Sequence, residues 1–162
     1  FQTSLSYKQL RFKASFAGVK GGDIFNSNNR YNNLANFQSG DRNYNPAAIA
    51  NAWTPENPSN VYPSIFSNVV NGHINDRYIE DGSYLRLTDV TIGFTFDQAI
   101  VKTLGLSNLD LFTSVKNAFT ITNYSGYDPT SRSFNIDPLR RGLDLYSFPA
   151  QRQIILGVNL IF

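Results

Sequence analysis

Residues 154–162, Ile-Ile-Leu-Gly-Val-Asn-Leu-Ile-Phe, alternate between large apolar side chains and smaller or polar ones over most of their length. The apolar set is Ile154, Leu156, Val158, Leu160 and Phe162, and the set between them includes Gln153, Gly157 and Asn159. Successive side chains of a strand point to opposite faces, so this period of two predicts a strand with one apolar and one polar face. A shift of one residue would exchange the two faces, and the alternation therefore fixes the register of the strand.

Four earlier segments show the same period of two. They run from Phe1 to Tyr7, from Leu10 to Ala17, from about Ser83 to Phe96, and from Leu109 to Ile121. A helical period of about 3.6 residues is convincing only from Gln98 to Leu104. The pattern therefore predicts an all-β fold of antiparallel strands.

The connections between these segments alternate strictly between shorter and longer ones. The link at Lys8-Gln9 is short, and the next, residues 21–75, is very long and rich in Asn, Pro and aromatic residues. The link at residues 97–108 is moderate, and residues 123–149 form a second long one. Transmembrane β-barrels have this asymmetry, with short periplasmic turns and long extracellular loops. We therefore expect loops 21–75 and 123–149 to be extracellular and residues 97–108 to form a periplasmic turn.

Composition agrees with this prediction without deciding it. Aromatic residues make up 14 % of the chain, and charged residues make up 16 %, below the roughly 25 % usual in soluble domains. Fourteen of the 19 asparagines fall between Asn26 and Asn75. The net charge of +2 gives no reason to expect a nucleic-acid partner, and the absence of cysteine excludes disulfides and cysteine metal sites. A soluble β-sandwich could share these features.

Four blocks of the sequence resemble the C-terminal region of SusC/RagA-type TonB-dependent outer-membrane transporters. Together they cover nearly the whole chain in the family's order, and the second is the most specific. The blocks are Trp-Thr-Pro-Glu-Asn-Pro (53–58), Arg-Tyr-Ile-Glu-Asp-Gly-Ser-Tyr-Leu-Arg-Leu (77–87), Asn-Ala-Phe-Thr running to Tyr-Ser-Gly-Tyr-Asp-Pro (117–129), and residues 148–162.

This resemblance implies an antiparallel transmembrane β-barrel of roughly 22 strands, closed by a plug domain that we expect to be absent from this chain. It implies import of oligosaccharides or peptides across the outer membrane, energised through the TonB system. It also implies a SusD-like surface lipoprotein as partner, beside the remainder of the transporter and outer-membrane lipid. No enzyme activity, cofactor or metal is implied. The strand that ends at Phe162 resembles the signal by which outer-membrane proteins are recognised for assembly.

Candidate site residues of other kinds have simple structural explanations. His73, the only histidine, lies in the Asn-rich loop without any motif. Glu80 and Asp81 are adjacent, so in a strand they would point to opposite faces and could not act on one bond as an acid–base pair. We expect them to accept hydrogen bonds at the entry to a strand. Asp128, Asp137 and Asp144 have no EF-hand spacing, and the first two should begin turns before proline.

Loop aromatic residues are the remaining candidates for contacts with a substrate or a lid. These are Trp53, Tyr62, Tyr124 and Tyr127, for which structural packing of the loops is the better explanation. Arg86 lies in a strand otherwise suited to lipid, where arginine costs about 2–4 kcal/mol, so it should turn inward or extend its guanidinium to the membrane interface. The main alternative to a transporter is a soluble all-β glycan-binding or adhesin-like module, with which a mean hydropathy of −0.28 is compatible. An enzyme is a distant third.

Overall fold

The structure, a computed structural model, describes residues 1–33, 45–65, 76–130, 142–145 and 147–162. Within these ranges the chain is mostly β-strand with a few short helices, and it divides into two compact units. The first comprises residues 1–21, 83–123 and 149–162, and the second comprises residues 22–82 and 124–148. None of the helices in the described ranges is long and apolar enough to cross a membrane.

The first unit is an open, five-stranded antiparallel sheet in the order β1-β2-β5-β6-β8, which confirms the antiparallel all-β prediction. Each strand coincides with one of the alternating segments, and a short helix, α3 (Gln98–Thr103), lies on the predicted helical segment. Numbered along the whole chain, the strands of this sheet are β1 (Gln2–Tyr7), β2 (Leu10–Val19), β5 (Tyr84–Thr95), β6 (Asn108–Thr122) and β8 (Gln153–Ile161).

One face of this sheet, here called the apolar face, carries large hydrophobic side chains from all five strands. The register aligns them in rows, for example from Tyr7 through Leu10, Phe94 and Leu111 to Val158. These side chains are 39–80 % exposed, so they do not form a buried core. The exposed members are Leu5, Tyr7, Leu10, Ile92, Phe94, Leu111, Ile154, Leu156, Val158 and Leu160.

The opposite face, here called the polar face, holds a hydrogen-bonded network centred on the buried Asp110. Its carboxylate pairs with the guanidinium of Arg11 and accepts hydrogen bonds from the Thr95 hydroxyl (3.0 Å) and the Asn159 amide (3.4 Å). The Phe112 ring lies over Gly157, where an added Cβ would be 2.2 Å from the ring. Gly157 and Asn159 therefore lie on the face opposite to the apolar series of β8, as the alternation predicts.

A β-bulge at Thr88 keeps Arg86 off the apolar face. The pairing of β5 with its neighbours shifts between Leu87 and Asp89, and the Thr88 hydroxyl donates to the carbonyl of Ser15 (3.0 Å). Because the bulge adds one residue to β5, the side chains on either side of it alternate with opposite phase. Leu87 and Val90, although three residues apart, therefore both lie on the apolar face. Arg86 is buried on the other side, where its Nε donates to the Thr120 hydroxyl (2.7 Å). Arg86 therefore lies on the polar face, away from the large apolar side chains of its strand.

The second unit contains a small three-stranded sheet that the alternation does not predict. Its order is β4-β3-β7, with β3 antiparallel to β4 and parallel to β7. Both segments expected to be long loops thus supply strands to it, and they pack on each other. The elements of this unit are β3 (Asp23–Asn26), α1 (Ser27–Asn33), α2 (Pro46–Ala50), a 3-10 turn (Asp76–Tyr78), β4 (Ile79–Asp81) and β7 (Leu143–Asp144).

Candidate functional site

Two pockets in the second unit contain three of the four aromatic residues singled out in the sequence. Trp53 and Tyr62 line a pocket of about 460 Å³, here called the Trp53 pocket. Tyr127 lines another of about 390 Å³, here called the asparagine pocket. Tyr124 lines neither of them. Both volumes fall within the range of about 300–1,000 Å³ that is usual for ligand sites.

The Trp53 pocket is built on a short loop closed by one backbone hydrogen bond and one to a serine hydroxyl. The N–H of Trp53 donates to the carbonyl of Tyr62 (3.2 Å), and the Ser59 hydroxyl accepts from the N–H of Tyr62 (3.0 Å). The guanidinium of Arg77 lies 5.8 Å from the centroid of the Tyr62 ring, within reach of a cation–π interaction. With Asp76 also in its lining, this pocket offers aromatic surface beside one positive and one negative side chain.

The asparagine pocket has a different chemistry, because its lining residues are all uncharged. Tyr127 lines this pocket and is exposed, with 79 % of its surface accessible to solvent. Asparagine amides and one hydroxyl supply the polar surface, and Gly126 leaves part of the wall without a side chain. The lining residues are Asn26, Asn28, Asn29, Asn32, Ser125, Gly126 and Tyr127.

Hydrogen bonds to Glu80 connect three chain segments behind this pocket. Its carboxylate accepts hydrogen bonds from the backbone N–H and the hydroxyl of Ser125 (both 2.8 Å) and from the amide of the buried Asn26 (2.9 Å). The Asn26 side-chain oxygen in turn accepts from the N–H of Asn29 in α1 (2.9 Å). The expectation that Glu80 accepts hydrogen bonds near a strand entry is confirmed.

The hydrogen bonds to Glu80 also set its protonation. Partial burial alone would raise the pKa of Glu80, but the donors on Ser125, Asn26 and Asn29 together lower that pKa below its ordinary value of 4.5. The carboxylate is therefore ionised wherever the pH is near neutral. Its contribution to stability is fully present above the pKa of an unfolded glutamate and is lost as the pH falls through the lower folded pKa.

Tyr124 lies buried beneath the pocket and joins it to β7. Only 5 % of Tyr124 is exposed, and its hydroxyl donates to the carboxylate of the buried Asp144 (2.6 Å). Burial, together with this hydrogen bond, raises the pKa of the Tyr124 phenol. A Cβ on Gly126 would lie 2.4 Å from the Tyr124 ring, so only glycine fits against it. Tyr124 therefore packs behind the pocket wall at Gly126, whereas Tyr127 is accessible to solvent in the pocket.

The other residues considered from the sequence are distributed as follows. Asp128 is buried and accepts from the N–H (2.8 Å) and the hydroxyl (2.7 Å) of Thr130, which confirms the predicted turn. Phe162 follows β8 and is 87 % exposed. His73 and Asp137 lie outside the described residues. The sequence analysis did not single out Asn26, Asn29 or Ser125, although the high density of asparagine after residue 26 was a signal for them.

Replacing Glu80 by glutamine should destabilise the second unit. The glutamine would turn an amide NH2 towards donors on Ser125 or Asn26, and an unsatisfied or lost charged hydrogen bond costs about 1–3 kcal/mol. Hydrogen exchange of residues 22–33 and 124–130 in the complete protein should therefore be faster at pH 7 in Glu80→Gln. The exposed Glu56→Gln serves as the control. As the pH falls below 4.5, the wild type should approach the variant; equal exchange of the two at pH 7 would contradict the network.

The chain combines an open two-faced sheet with a loop unit that contains pockets, and comparison with known proteins identifies its class. No family model matches the sequence. The chain is 32 % identical over its whole length to the TonB-dependent receptor P3 of Formosa agariphila, of which it spans 16 %. It is 29 % identical over 56 % of its length to the TonB-dependent receptor SusC of Bacteroides thetaiotaomicron, of which it spans 8 %.

A solved structure shows the same fold. The chain superposes on part of the RagAB peptide transporter with a TM-score of 0.81 and 20 % identity, covering 99 % of this chain and 17 % of that one. The chain therefore belongs to the TonB-dependent receptors of the SusC/RagA type and corresponds to about one sixth of such a receptor. These relatives are named as receptors and as a peptide transporter.

Proposed function

We propose that this chain forms part of the barrel and the extracellular loops of an outer-membrane nutrient importer. The exposed apolar face carries the proposal, since ten large hydrophobic side chains on five strands are 39–80 % exposed. A soluble protein rarely exposes so large a contiguous apolar surface, whereas the lipid-facing side of a barrel consists of one. Ile154, Leu156, Val158, Leu160 and Phe162 would then face lipid, and the polar face would line the interior.

The two outer strands support a larger barrel. β1 and β8 each pair on one side only within the described residues. In lipid every backbone N–H and C=O must be paired, so an open sheet could not cross the membrane by itself. The remaining strands of the receptor would pair with β1 and β8 and complete a barrel of roughly 22 strands around a plug, as the resemblance implies.

The connections support an orientation. β2 and β6 end, and β5 and β8 begin, at the same end of the sheet, and the long connections from β2 to β5 and from β6 to β8 contain the residues of the second unit. The opposite end has the short turn at Lys8-Gln9 and the link that contains α3. We assign the second unit to the cell surface and the α3 link to the periplasm. There, Trp53, Tyr62 and Tyr127 would contact substrate or a SusD-like lipoprotein, with Tyr124 supporting them. The TonB system would energise import of an oligosaccharide or a peptide.

Extraction behaviour tests this proposal against the soluble alternative. The complete protein in its native cells should stay with the membrane fraction through high-salt and alkaline washes and enter solution only with detergent, because the apolar face is solvated by lipid. A periplasmic soluble protein released by the same washes is the control. Release by salt or water as a monodisperse species would favour the soluble glycan-binding or adhesin-like module and refute the barrel.

A further inference from the structure

We infer that the link between β5 and β6 (residues 96–107), together with Lys8, binds the anionic headgroup and upper acyl chains of a phospholipid on the periplasmic side of the membrane. This inference rests on the proposed function, which assigns the apolar face to lipid and this end of the sheet to the periplasm. The surface, here called the headgroup site, consists of Lys8 and of three exposed side chains on or directly after α3, namely Ile100, Lys102 and Leu104.

Aromatic side chains mark the level of the membrane–water interface at this end of the sheet. Tyr7, Phe96 and Phe162 lie at the ends of β1, β5 and β8 from which the link extends. Tyr7 is 71 % exposed, and the ring of Phe96 packs edge-on against that of Phe94, with centroids 5.0 Å apart. Transmembrane barrels carry aromatic girdles where hydrocarbon gives way to headgroups. Because α3 begins two residues after Phe96, it lies at the depth of the headgroups.

The link exposes apolar side chains that its own packing does not use. Val101 is completely buried where α3 contacts β6. Ile100 and Leu104 are 51 % and 60 % exposed, and a spacing of four residues brings them to the same side of the helical turn. At an interface such a pair enters the boundary between headgroups and acyl chains, while the polar side of the helix stays in the headgroup layer. The link therefore offers acyl chains a contact beyond the ends of the strands.

Two lysines supply the positive charge of the site. Lys8 directly follows Tyr7, with its ammonium group 5.6 Å from the centroid of that ring, and Lys102 is exposed on α3. The Asp97 carboxylate lies at the start of α3 and accepts a hydrogen bond from the Gln9 amide. Two ammonium groups beside this one carboxylate leave a positive balance. Lysines near a membrane surface increase its attraction for anionic lipid, and their long side chains reach phosphate groups from an apolar position.

Hydrogen bonds fix the two parts of the site relative to each other. The Gln9 amide, next to Lys8, donates to the Asp97 carboxylate (2.6 Å). The Gln98 amide donates to the carbonyl of Ser107, just before β6 (3.2 Å). The lysines are therefore carried on ordered backbone, and binding a headgroup requires only their side chains to lose conformational freedom.

The test is lipid retention by the complete, detergent-purified receptor, measured by native mass spectrometry with phosphatidylglycerol and phosphatidylcholine as probes. The wild type should retain the anionic phosphatidylglycerol more strongly. Lys8→Gln and Lys102→Gln should each weaken its retention by about fivefold and leave phosphatidylcholine unchanged. Ile100→Asn should weaken both lipids alike, because it removes an acyl-chain contact. Lys13→Gln, which removes an exposed lysine from the polar face, is the matched control and should retain both lipids as the wild type does.

Three outcomes would overturn the inference. They are equal retention of the two lipids by the wild type, a preference for phosphatidylglycerol that survives the combined Lys8→Gln and Lys102→Gln substitutions, and displacement of phosphatidylglycerol by an equal concentration of soluble glycerol phosphate. The last would identify a site for small anions instead of a lipid. Heat-modifiability on gels verifies that the variants remain folded. A receptor that needs detergent for extraction but lacks the lipid preference refutes only the headgroup site, whereas release by salt alone refutes the proposed function.

Discussion

Replacing Leu156 by arginine should remove most of the folded receptor from the outer membrane. Leu156, in β8, lies on the apolar face of the sheet. It is the most exposed of the large hydrophobic side chains named for that face. If this face contacts lipid, an arginine near the middle of the bilayer costs about 2–4 kcal/mol. That cost lowers the ratio of folded to unfolded receptor by about 30-fold to nearly 1,000-fold. Surface labelling and heat-modifiability on gels would measure the folded fraction.

The neighbouring residue supplies a matched control for this experiment. Ile155 lies in the same strand but on the polar face, paired with Ser114. Ile155→Arg introduces the same charge and bulk without placing them in lipid, and it should leave most of the receptor folded. Equal losses from both substitutions would mean that β8 tolerates arginine on neither face. Equal tolerance of both would contradict a lipid-facing apolar surface.

The five-stranded sheet is predictable from sequence because its two faces have different surroundings. Every second residue from Leu10 to Phe16 and from Val90 to Phe94 is apolar, because these side chains share one face of the sheet. The period of two therefore predicts both the strand and its register. The bulge at Thr88 also had a signal that the sequence analysis overlooked. Leu85 and Leu87 occupy odd positions while Val90 and Ile92 occupy even ones, and only an extra residue lets one face carry both pairs.

The small sheet of the second unit could not be predicted in the same way. β7 consists only of Leu143 and Asp144, and two residues cannot display a period. Its partner β3 is far away in the sequence, and their pairing is parallel. Hydrogen bonds between distant polar residues, such as Asn26 with Glu80, hold these elements together in place of a hydrophobic pattern.

The sequence predicted which aromatic residues belong to the candidate site, but it predicted only in part how they are arranged. Trp53 and Tyr62 were chosen separately as loop aromatics, and the structure brings them to one pocket. Tyr124 and Tyr127 were chosen on the same grounds, yet Tyr124 is buried and Tyr127 is exposed. The difference arises from Asp144, which binds the Tyr124 hydroxyl from 20 residues further along the chain. Local sequence around the two tyrosines contains no sign of that partner.

Replacing Phe162 by aspartate should lower the amount of assembled receptor while leaving import per assembled molecule nearly unchanged. Phe162 follows Leu160 in the apolar series of β8 and is 87 % exposed. Its strand resembles the signal recognised during outer-membrane assembly, and we propose that this aromatic side chain is part of what is recognised. An aspartate would remove the aromatic ring and add a negative charge near the membrane interface, so fewer molecules would insert.

Comparison with Ile161→Asp separates recognition of the aromatic residue from a general effect of charge at the end of β8. Ile161 pairs with Asn108 and lies on the polar face, so in the proposed barrel a carboxylate there would not contact lipid. If Phe162 is an assembly residue, Phe162→Asp should reduce surface abundance much more than Ile161→Asp, and the molecules that do assemble should transport at the wild-type rate. Phe162→Tyr, which keeps an aromatic ring, should restore abundance. Wild-type abundance with impaired uptake would instead make Phe162 a transport residue, because only the molecules already in the membrane would then be affected.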